Sequence, residues 1–192
     1  SLLVLGLYAA HALVLVRYPF DWSPDEGLGL DYARRLLEAP ATLYARSVTP
    51  FPSAYGPLLP AVLAPVVWLT GEPLAPARLL ALGWTALGAL AVFLLVRQVA
   101  SPALALASCA LALAPFDLTF WYVLVRVDGL MVALWLLATV PLLAPWGTRA
   151  PEPLSGRRIA LVSGLLLLAS LAKATAAVHA LPLVLAQWRA DR

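Results

Sequence analysis

Charge is what this chain of 192 residues has least of, since only 12% of its residues are charged and 62% are hydrophobic. Soluble domains carry about 25% charged residues, so this composition excludes the soluble globular class. The net charge of +3 comes mostly from scattered arginines, and no basic run or RNA-type aromatic motif accompanies them. We therefore read the positive surplus as a sign of membrane topology and predict no nucleic-acid partner.

Other absences narrow the chemistry. The single cysteine, Cys109, lies in an apolar run, which excludes a disulfide framework and a thiolate metal cluster. The two histidines, His11 and His179, also lie in apolar segments, and neither has a second histidine at ligand spacing, so helix packing is the favoured interpretation. No glycine-rich phosphate loop follows a strand, so no soluble nucleotide pocket is predicted.

Long apolar windows are what the chain does contain. About 18 uncharged apolar residues suffice to cross a hydrocarbon core roughly 30 Å thick. The candidate windows are residues 1–16, 54–71, 79–96, 99–116 and 129–146, and a run over 159–188 interrupted only by Lys173. They predict an all-α, polytopic transmembrane helical bundle, with residues 1–192 forming the N-terminal part of one membrane domain whose C-terminal remainder is absent.

Three prolines make the window 54–71 a poor span, because each removes a backbone donor that lipid cannot replace. If this window does not cross, and the N-terminus is cytoplasmic, six later arginines share the cytoplasmic face, as the positive-inside rule requires. They are Arg97, Arg149, Arg157, Arg158, Arg189 and Arg192. We therefore predict six spans, with residues 19–76 as a long first external loop carrying amphipathic juxtamembrane helices, and spans two to six within 77–192.

This topology places Asp25, Asp128 and Lys173 on one face of the membrane. Because Arg158 and Arg189 both favour the inner face, the run 159–188 should fold as a hairpin with Lys173 near its outer tip. Arms of about 14 residues reach only about 21 Å, so we expect Lys173 below the outer surface, in a protein-lined or wet cavity. A snorkelling lysine is the alternative.

The segment 22–26, Trp-Ser-Pro-Asp-Glu, has the form of a helix start. Ser23 is the expected N-cap, a proline takes the first helical position, and Glu26 closes a capping box, with the helix running to about Glu38. Capping accounts for Glu26. Asp25 is not needed for the cap, although a complement to the helix dipole remains an alternative explanation for it.

A second acidic site opens the window 129–146, where Asp128 follows an aromatic cluster typical of a membrane interface. A carboxylate there should face a cavity, a metal, or a partner such as Arg126; a local dipole or ion pair without function is the alternative. Asp25 suits either a general base or, with Asp128, a divalent-cation ligand. Lys173, with Arg126, suits the neutralisation of a phosphate leaving group.

The order of several short motifs resembles one enzyme family. The motifs are W-x-P-D-E at 22–26, Ala-Arg-Arg-Leu at 33–36, F-P-x-x-Y-G-P at 51–57, Asp-Gly at 128–129 and Leu-Ala-Lys at 171–173. In this order they resemble the N-terminal half of bacterial GT-C glycosyltransferases related to dolichyl-phosphate-mannose protein mannosyltransferases and the lipid A aminoarabinose transferase.

The resemblance implies an extracytoplasmic active site in the bacterial plasma membrane. It implies transfer of a sugar from a polyprenyl-phosphate donor to a hydroxyl of a lipid, glycan or protein acceptor, with inversion. Asp25 and Asp128 would be the catalytic carboxylates and the ligands of any divalent cation (Mg, Mn or Zn). The candidate substrate-binding residues are Lys173, Arg126, Glu26 and Tyr55, although Tyr55 also fits an interfacial aromatic with no such role.

Two departures limit the resemblance. The aminoarabinose enzymes carry Glu-Lys-Pro where this chain has residues 51–55, and Arg-Tyr after the acidic pair where this chain has Leu28-Gly29. Transfer of that particular sugar is therefore not predicted. A transporter or flippase with Asp128 and Lys173 in its translocation path is the competing function, and a non-catalytic membrane scaffold is the third.

Overall fold

The computed structural model describes residues 2–44, 55–71, 74–114, 122–143, 155–178 and 181. These residues form helices and their connections, and no strand occurs among them. In chain order the helices are α1 (Leu2–Arg17), α2 (Pro24–Glu38), a 3₁₀ turn (Pro40–Thr42), α3 (Leu58–Thr70), α4 (Leu74–Arg97), α5 (Pro102–Leu113), α6 (Val127–Leu143) and α7 (Gly156–Ala172). The all-α prediction is confirmed.

Within the part of the chain that the structure describes, α4 is the one helix long and apolar enough to cross a membrane. It has 24 residues, and only 28% of its most hydrophobic window is buried, whereas a core helix of a soluble protein would be mostly covered. The other predicted windows also contain helices, but these have 12 to 17 residues and reach only about 18–26 Å. Six spans are therefore not confirmed.

The proline-rich window 54–71 forms α3, a helix of 13 residues that contains Pro65. At 1.5 Å per residue α3 is about 20 Å long, too short to span a hydrocarbon core. Helix α5, which lies in a window predicted to cross, is shorter still at 12 residues, so the non-crossing of window 54–71 stays a prediction. Helix α3 packs on α2, where Leu59 and Leu63 approach Gly29. Part of the apolar face of α2 is therefore covered by protein.

Small residues allow α4 and α6 to pack closely. Ala77, Ala81 and Ala133 are almost inaccessible in the main core, and a side chain at Gly88 would touch the Ala133 backbone. Small residues at such an interface let two helix backbones approach and gain dispersion energy without large side chains. Helix α6 also packs on α7, so α4, α6 and α7 form a continuous group. This group brings the starts of α4 and α6 together with the end of α7.

A buried ion pair connects this helical group to the first loop. Arg78, in the first turns of α4, donates through Nε and Nη2 to the two carboxylate oxygens of Glu26, at 2.9 and 2.7 Å, and both side chains are 0% exposed. The remaining Arg78 donors reach the carbonyl oxygens of Leu15, Tyr18 and Phe20 at 2.7–2.9 Å. Every side-chain N–H group of Arg78 therefore has an acceptor, as a buried guanidinium requires.

Glu26 is satisfied just as completely. Its Oε2 accepts from the backbone N–H of Trp22 at 3.1 Å, and its Oε1 accepts from that of Val125 at 3.2 Å. The reach back to Trp22 fulfils the predicted capping role one residue earlier than in a standard capping box. The contact with Val125 ties the start of α2 to the segment before α6. The Glu26 carboxylate therefore binds Arg78, which is 52 positions further along the chain, and Val125, which is 99 positions further.

We predict that Arg78→Met destabilises the protein by about 3–5 kcal/mol, because it leaves the Glu26 carboxylate buried without its partner. Arg34→Met is the control, since Arg34 is exposed on α2, and its effect should stay within about 0.5 kcal/mol. Thermal unfolding in detergent or nanodiscs measures the difference. Equal effects of the two substitutions would show that the buried pair does not hold the fold.

Candidate functional site

Five polar side chains from remote parts of the chain meet in one closed arrangement, here called the polar ring: Asp25, Tyr55, Arg126, Asp128 and Lys173. The Tyr55 hydroxyl donates to Asp25 Oδ1 at 3.2 Å, and Arg126 Nη1 donates to Asp25 Oδ2. Arg126 Nη2 donates to Asp128 Oδ2 at 3.3 Å, and Lys173 Nζ donates to Asp128 Oδ1 at 2.6 Å. Lys173 Nζ closes the ring 5.9 Å from the centre of the Tyr55 ring.

The start of α2 places Asp25. Ser23 is the N-cap in an extended conformation, its hydroxyl accepts from the Asp25 backbone N–H at 3.3 Å, and Pro24 occupies the first helical turn. Asp25 and Glu26 are neighbours in this first turn, yet their side chains differ in burial. Glu26 is inaccessible, whereas the Asp25 side chain is 28% exposed. The pair therefore divides into a structural carboxylate and an accessible one.

A break between helices places Lys173. Helix α7 ends at Ala172, and Lys173 is its C-cap in an extended conformation, with helical structure resuming at residues 175–178. The interruption predicted within the run 159–188 therefore lies at the lysine. Most of the predicted second arm lies outside the described residues. The Lys173 side chain is 28% exposed and points to Asp128, as expected for an ion in a protein-lined recess rather than in lipid.

Gly56 holds Tyr55 beside the end of α7. The Gly56 backbone N–H donates to the carbonyl oxygen of Ala172 at 2.9 Å. A Cβ atom at Gly56 would lie 1.8 Å from the carbonyl oxygen of Leu171, closer than non-bonded atoms can approach. Glycine is therefore required here by the close backbone contact. The contact places the Tyr55 ring between Asp25 and Lys173.

The two cations shape the electrostatics of the ring. Burial of the Asp128 carboxylate opposes its ionisation, but the hydrogen bond and charge of Lys173, and then those of Arg126, outweigh burial and lower the pKa of Asp128. Burial, followed by the charge of Asp25, raises the pKa of the Tyr55 phenol. At neutral pH Asp128 is therefore an anion and Tyr55 a neutral hydrogen-bond donor. The ring contains two carboxylates and two cations, so its formal charge is zero.

The structure brings together five of the six site residues proposed from the sequence, namely the members of the polar ring. The sixth, Glu26, lies apart from them. Glu26 lies behind the ring, fully buried against Arg78, so its assignment as a substrate-binding residue stays a prediction that this geometry does not support. Arg78 was missed because an arginine at the start of an apolar helix resembles an ordinary flanking charge. The signal available in the sequence was the scarcity of charge, since each of the few charged residues of an apolar chain needs a partner. His11 is exposed on α1, and His179 lies outside the described residues.

A divalent cation does not fit this arrangement well. Asp25 and Asp128 are the predicted ligands, but the Arg126 guanidinium bridges them and takes the position that a shared cation would occupy. Among the described residues, no group of three or more His, Cys, Asp or Glu side chains is placed to hold a metal. Calcium takes roughly six to eight oxygen ligands, more than the oxygens of these two carboxylates provide. We therefore derive no chemical step through a metal.

Comparison of the chain with protein-family models, with curated protein sequences and with solved structures finds no match.

We predict that Gly56→Ala displaces Tyr55 from the ring and destabilises the protein by roughly 1–3 kcal/mol, the usual cost of forcing an extra methyl group into a packed site. Gly164→Ala on α7 is the matched control, because its Cβ would meet no atom within 4 Å. Alanine there should be neutral or slightly stabilising in a helix. Unfolding midpoints of both variants provide the test, and a Gly56→Ala midpoint as high as that of the control would contradict the close contact.

Proposed function

We propose that this chain is part of a membrane glycosyltransferase of the GT-C type. In this proposal it moves a sugar from a polyprenyl-phosphate donor to an acceptor hydroxyl on a lipid, glycan or protein. Six spans and an active site on the extracytoplasmic face of a bacterial plasma membrane complete the proposal. The structure contributes an all-helical fold and one helix long enough to span, and the motif order described above supplies the family.

The polar ring is the observation that carries this proposal. Transfer from a phosphate-linked sugar needs a general base, a second carboxylate and two cations. These groups meet here, and the hydrogen-bonded partners among them are up to 101 residues apart. Their side chains are 19–38% exposed, so a ligand can reach them. A merely structural network would more naturally be fully buried, as the pair of Glu26 and Arg78 is.

An apolar cavity next to the ring suits the lipid part of such a donor. It has a volume of about 240 Å³ and is lined by Met131, Val132, Trp135, Leu136 and Ala176. Met131 lies one helical turn beyond Asp128, and Ala176 lies three residues beyond Lys173. A phosphate held at Lys173 would therefore have an apolar recess beside it for the first part of an isoprenoid chain.

The proposed reaction is an inverting displacement at the anomeric carbon. Asp25 accepts the proton of the acceptor hydroxyl as its oxygen forms a bond to that carbon on the side opposite the phosphate. The bond between the anomeric carbon and the phosphate oxygen breaks, and the phosphate leaves with both electrons of that bond. Lys173 and Arg126 stabilise the added negative charge on the lipid phosphate. Asp128 holds the two cations beside the site before the phosphate binds.

We expect Asp25→Asn to lower sugar transfer by about 10²–10⁴-fold, the usual contribution of a positioned general base. The measurement uses membranes that carry the full-length protein, labelled polyprenyl-phosphate sugars and candidate acceptors. Asp31→Asn is the matched control, because Asp31 lies on the same helix in a partly exposed i,i+4 pair with Arg35 away from the polar ring, so its loss should leave transfer unchanged.

The outcomes separate the competing functions. Transfer that persists at the wild-type rate in Asp25→Asn and Asp128→Asn would reject the assigned roles. Ion-coupled uptake of a solute without any transfer would instead identify a transporter that uses Asp128 and Lys173. Expression and unfolding midpoints of each variant, compared with Asp31→Asn, show whether a loss of transfer reflects chemistry or misfolding.

A further inference from the structure

We propose that Arg126 is an exchangeable clamp: a phosphate group that binds Arg126 and Lys173 draws both cations away from the carboxylates and so frees Asp25. Its role in catalysis rests on the proposed glycosyltransferase function. The exchange itself is a binding event, and it does not require that any sugar be transferred. It makes Arg126 a positioning residue that links the arrival of the phosphate to the availability of Asp25.

Both carboxylate oxygens of Asp25 accept hydrogen bonds in the structure. Its Oδ1 accepts from the Tyr55 hydroxyl, and its Oδ2 accepts from Arg126. The Ser23 hydroxyl also lies 3.4 Å from Oδ2. An acceptor hydroxyl that needs a carboxylate oxygen must therefore compete with a charged donor. Withdrawal of Arg126 would leave Oδ2 more open to such a hydroxyl, since Arg126 takes one of the lone pairs of that oxygen.

Arg126 and Lys173 both form ion pairs with carboxylates. Arg126 uses Nη1 for Asp25 and Nη2 for Asp128, and Lys173 donates to the other oxygen of Asp128. A phosphate that binds both cations competes with Asp25 and Asp128 for their positive charge. Phosphate competes well, because it carries several acceptor oxygens in a geometry that a guanidinium binds with two parallel hydrogen bonds. Phosphate and the two carboxylates are therefore in competition for one pair of cations.

The ion pairs of the polar ring are partly exposed, unlike the buried pair of Glu26 and Arg78, and so can exchange partners. The Arg126 and Lys173 side chains are 19% and 28% exposed, so water and ligands reach them, whereas Arg78 and Glu26 are 0% exposed. Partly exposed ion pairs are weak enough to rearrange. Tyr55 remains on Asp25 Oδ1 as a neutral donor and would hold the carboxylate in position after Arg126 leaves. The order that follows is phosphate donor first and acceptor second.

The experiment places a fluorinated tyrosine at position 55 of the full-length protein in nanodiscs and follows its ¹⁹F resonance. Tyr55 touches Asp25 and lies beside Lys173, so loss of either contact changes its environment. A second sample carries the same probe at Tyr44, which is 47% exposed and stacks with Tyr32 rather than with the ring. The additions are inorganic phosphate, a short-chain polyprenyl phosphate, the matching polyprenol, and NaCl at equal ionic strength.

We expect a saturable shift of the Tyr55 resonance with the phosphate compounds and no such shift at Tyr44. A response to both phosphates supports recognition of the phosphate group itself, and a response to the lipid phosphate alone assigns the clamp to a lipid headgroup. Arg126→Met and Lys173→Met should each weaken the response by about tenfold or more, as expected for the loss of a charge-assisted hydrogen bond. Equal shifts with NaCl or polyprenol, or no shift with any addition, would overturn the proposal.

The clamp and the proposed function fail in different ways. Sugar transfer by the wild-type protein without a phosphate-dependent shift at Tyr55 would reject the clamp and leave the glycosyltransferase assignment standing. A saturable shift that needs Arg126, in a protein that transfers no sugar, would support the clamp and reject the transferase. Unfolding midpoints of Arg126→Met and Lys173→Met, measured in the same nanodiscs, exclude loss of the response through misfolding.

Discussion

The buried pair of Glu26 and Arg78 is the interaction on which the rest of the structure depends. It joins the first loop, the start of α2, the start of α4 and the segment before α6 at one point that water does not reach. A buried guanidinium and carboxylate are costly to desolvate, so they are tolerated only where every donor and acceptor is satisfied. Here they are, and the arrangement fixes how the loop enters α2.

What this pair positions is the accessible carboxylate next to it. Asp25 lies in the same helical turn as Glu26, but its side chain points into a recess that Arg126, Asp128 and Lys173 share. The contrast in exposure separates a buried structural carboxylate from an accessible one, which suits the chemical role proposed for Asp25. A buried pair beneath a partly exposed ring is a sound physical basis for the proposed site, which would bind a charged ligand and then release it.

Much of the site could be predicted because arginine placement constrains topology. The positive-inside rule predicts Asp25, Asp128 and Lys173 on one face, and the structure brings the three residues to one site. A break was also predicted where Lys173 interrupts an apolar run, and α7 ends at that residue. The partner of Glu26 could not be predicted, since the pairing with Arg78 depends on how the loop folds back over α4. The number of membrane spans could not be predicted either, because apolar composition does not determine where a helix ends.

The most direct test of the central claim is whether the first loop and the start of α6 meet at one site. Asp25→Cys and Asp128→Cys would be combined in a full-length protein whose native Cys109 is replaced by alanine, and treated with a short bifunctional thiol reagent. Proteolysis between the two positions should then leave fragments that remain covalently joined. Thiols that both react with a monofunctional reagent but are never joined would contradict the account.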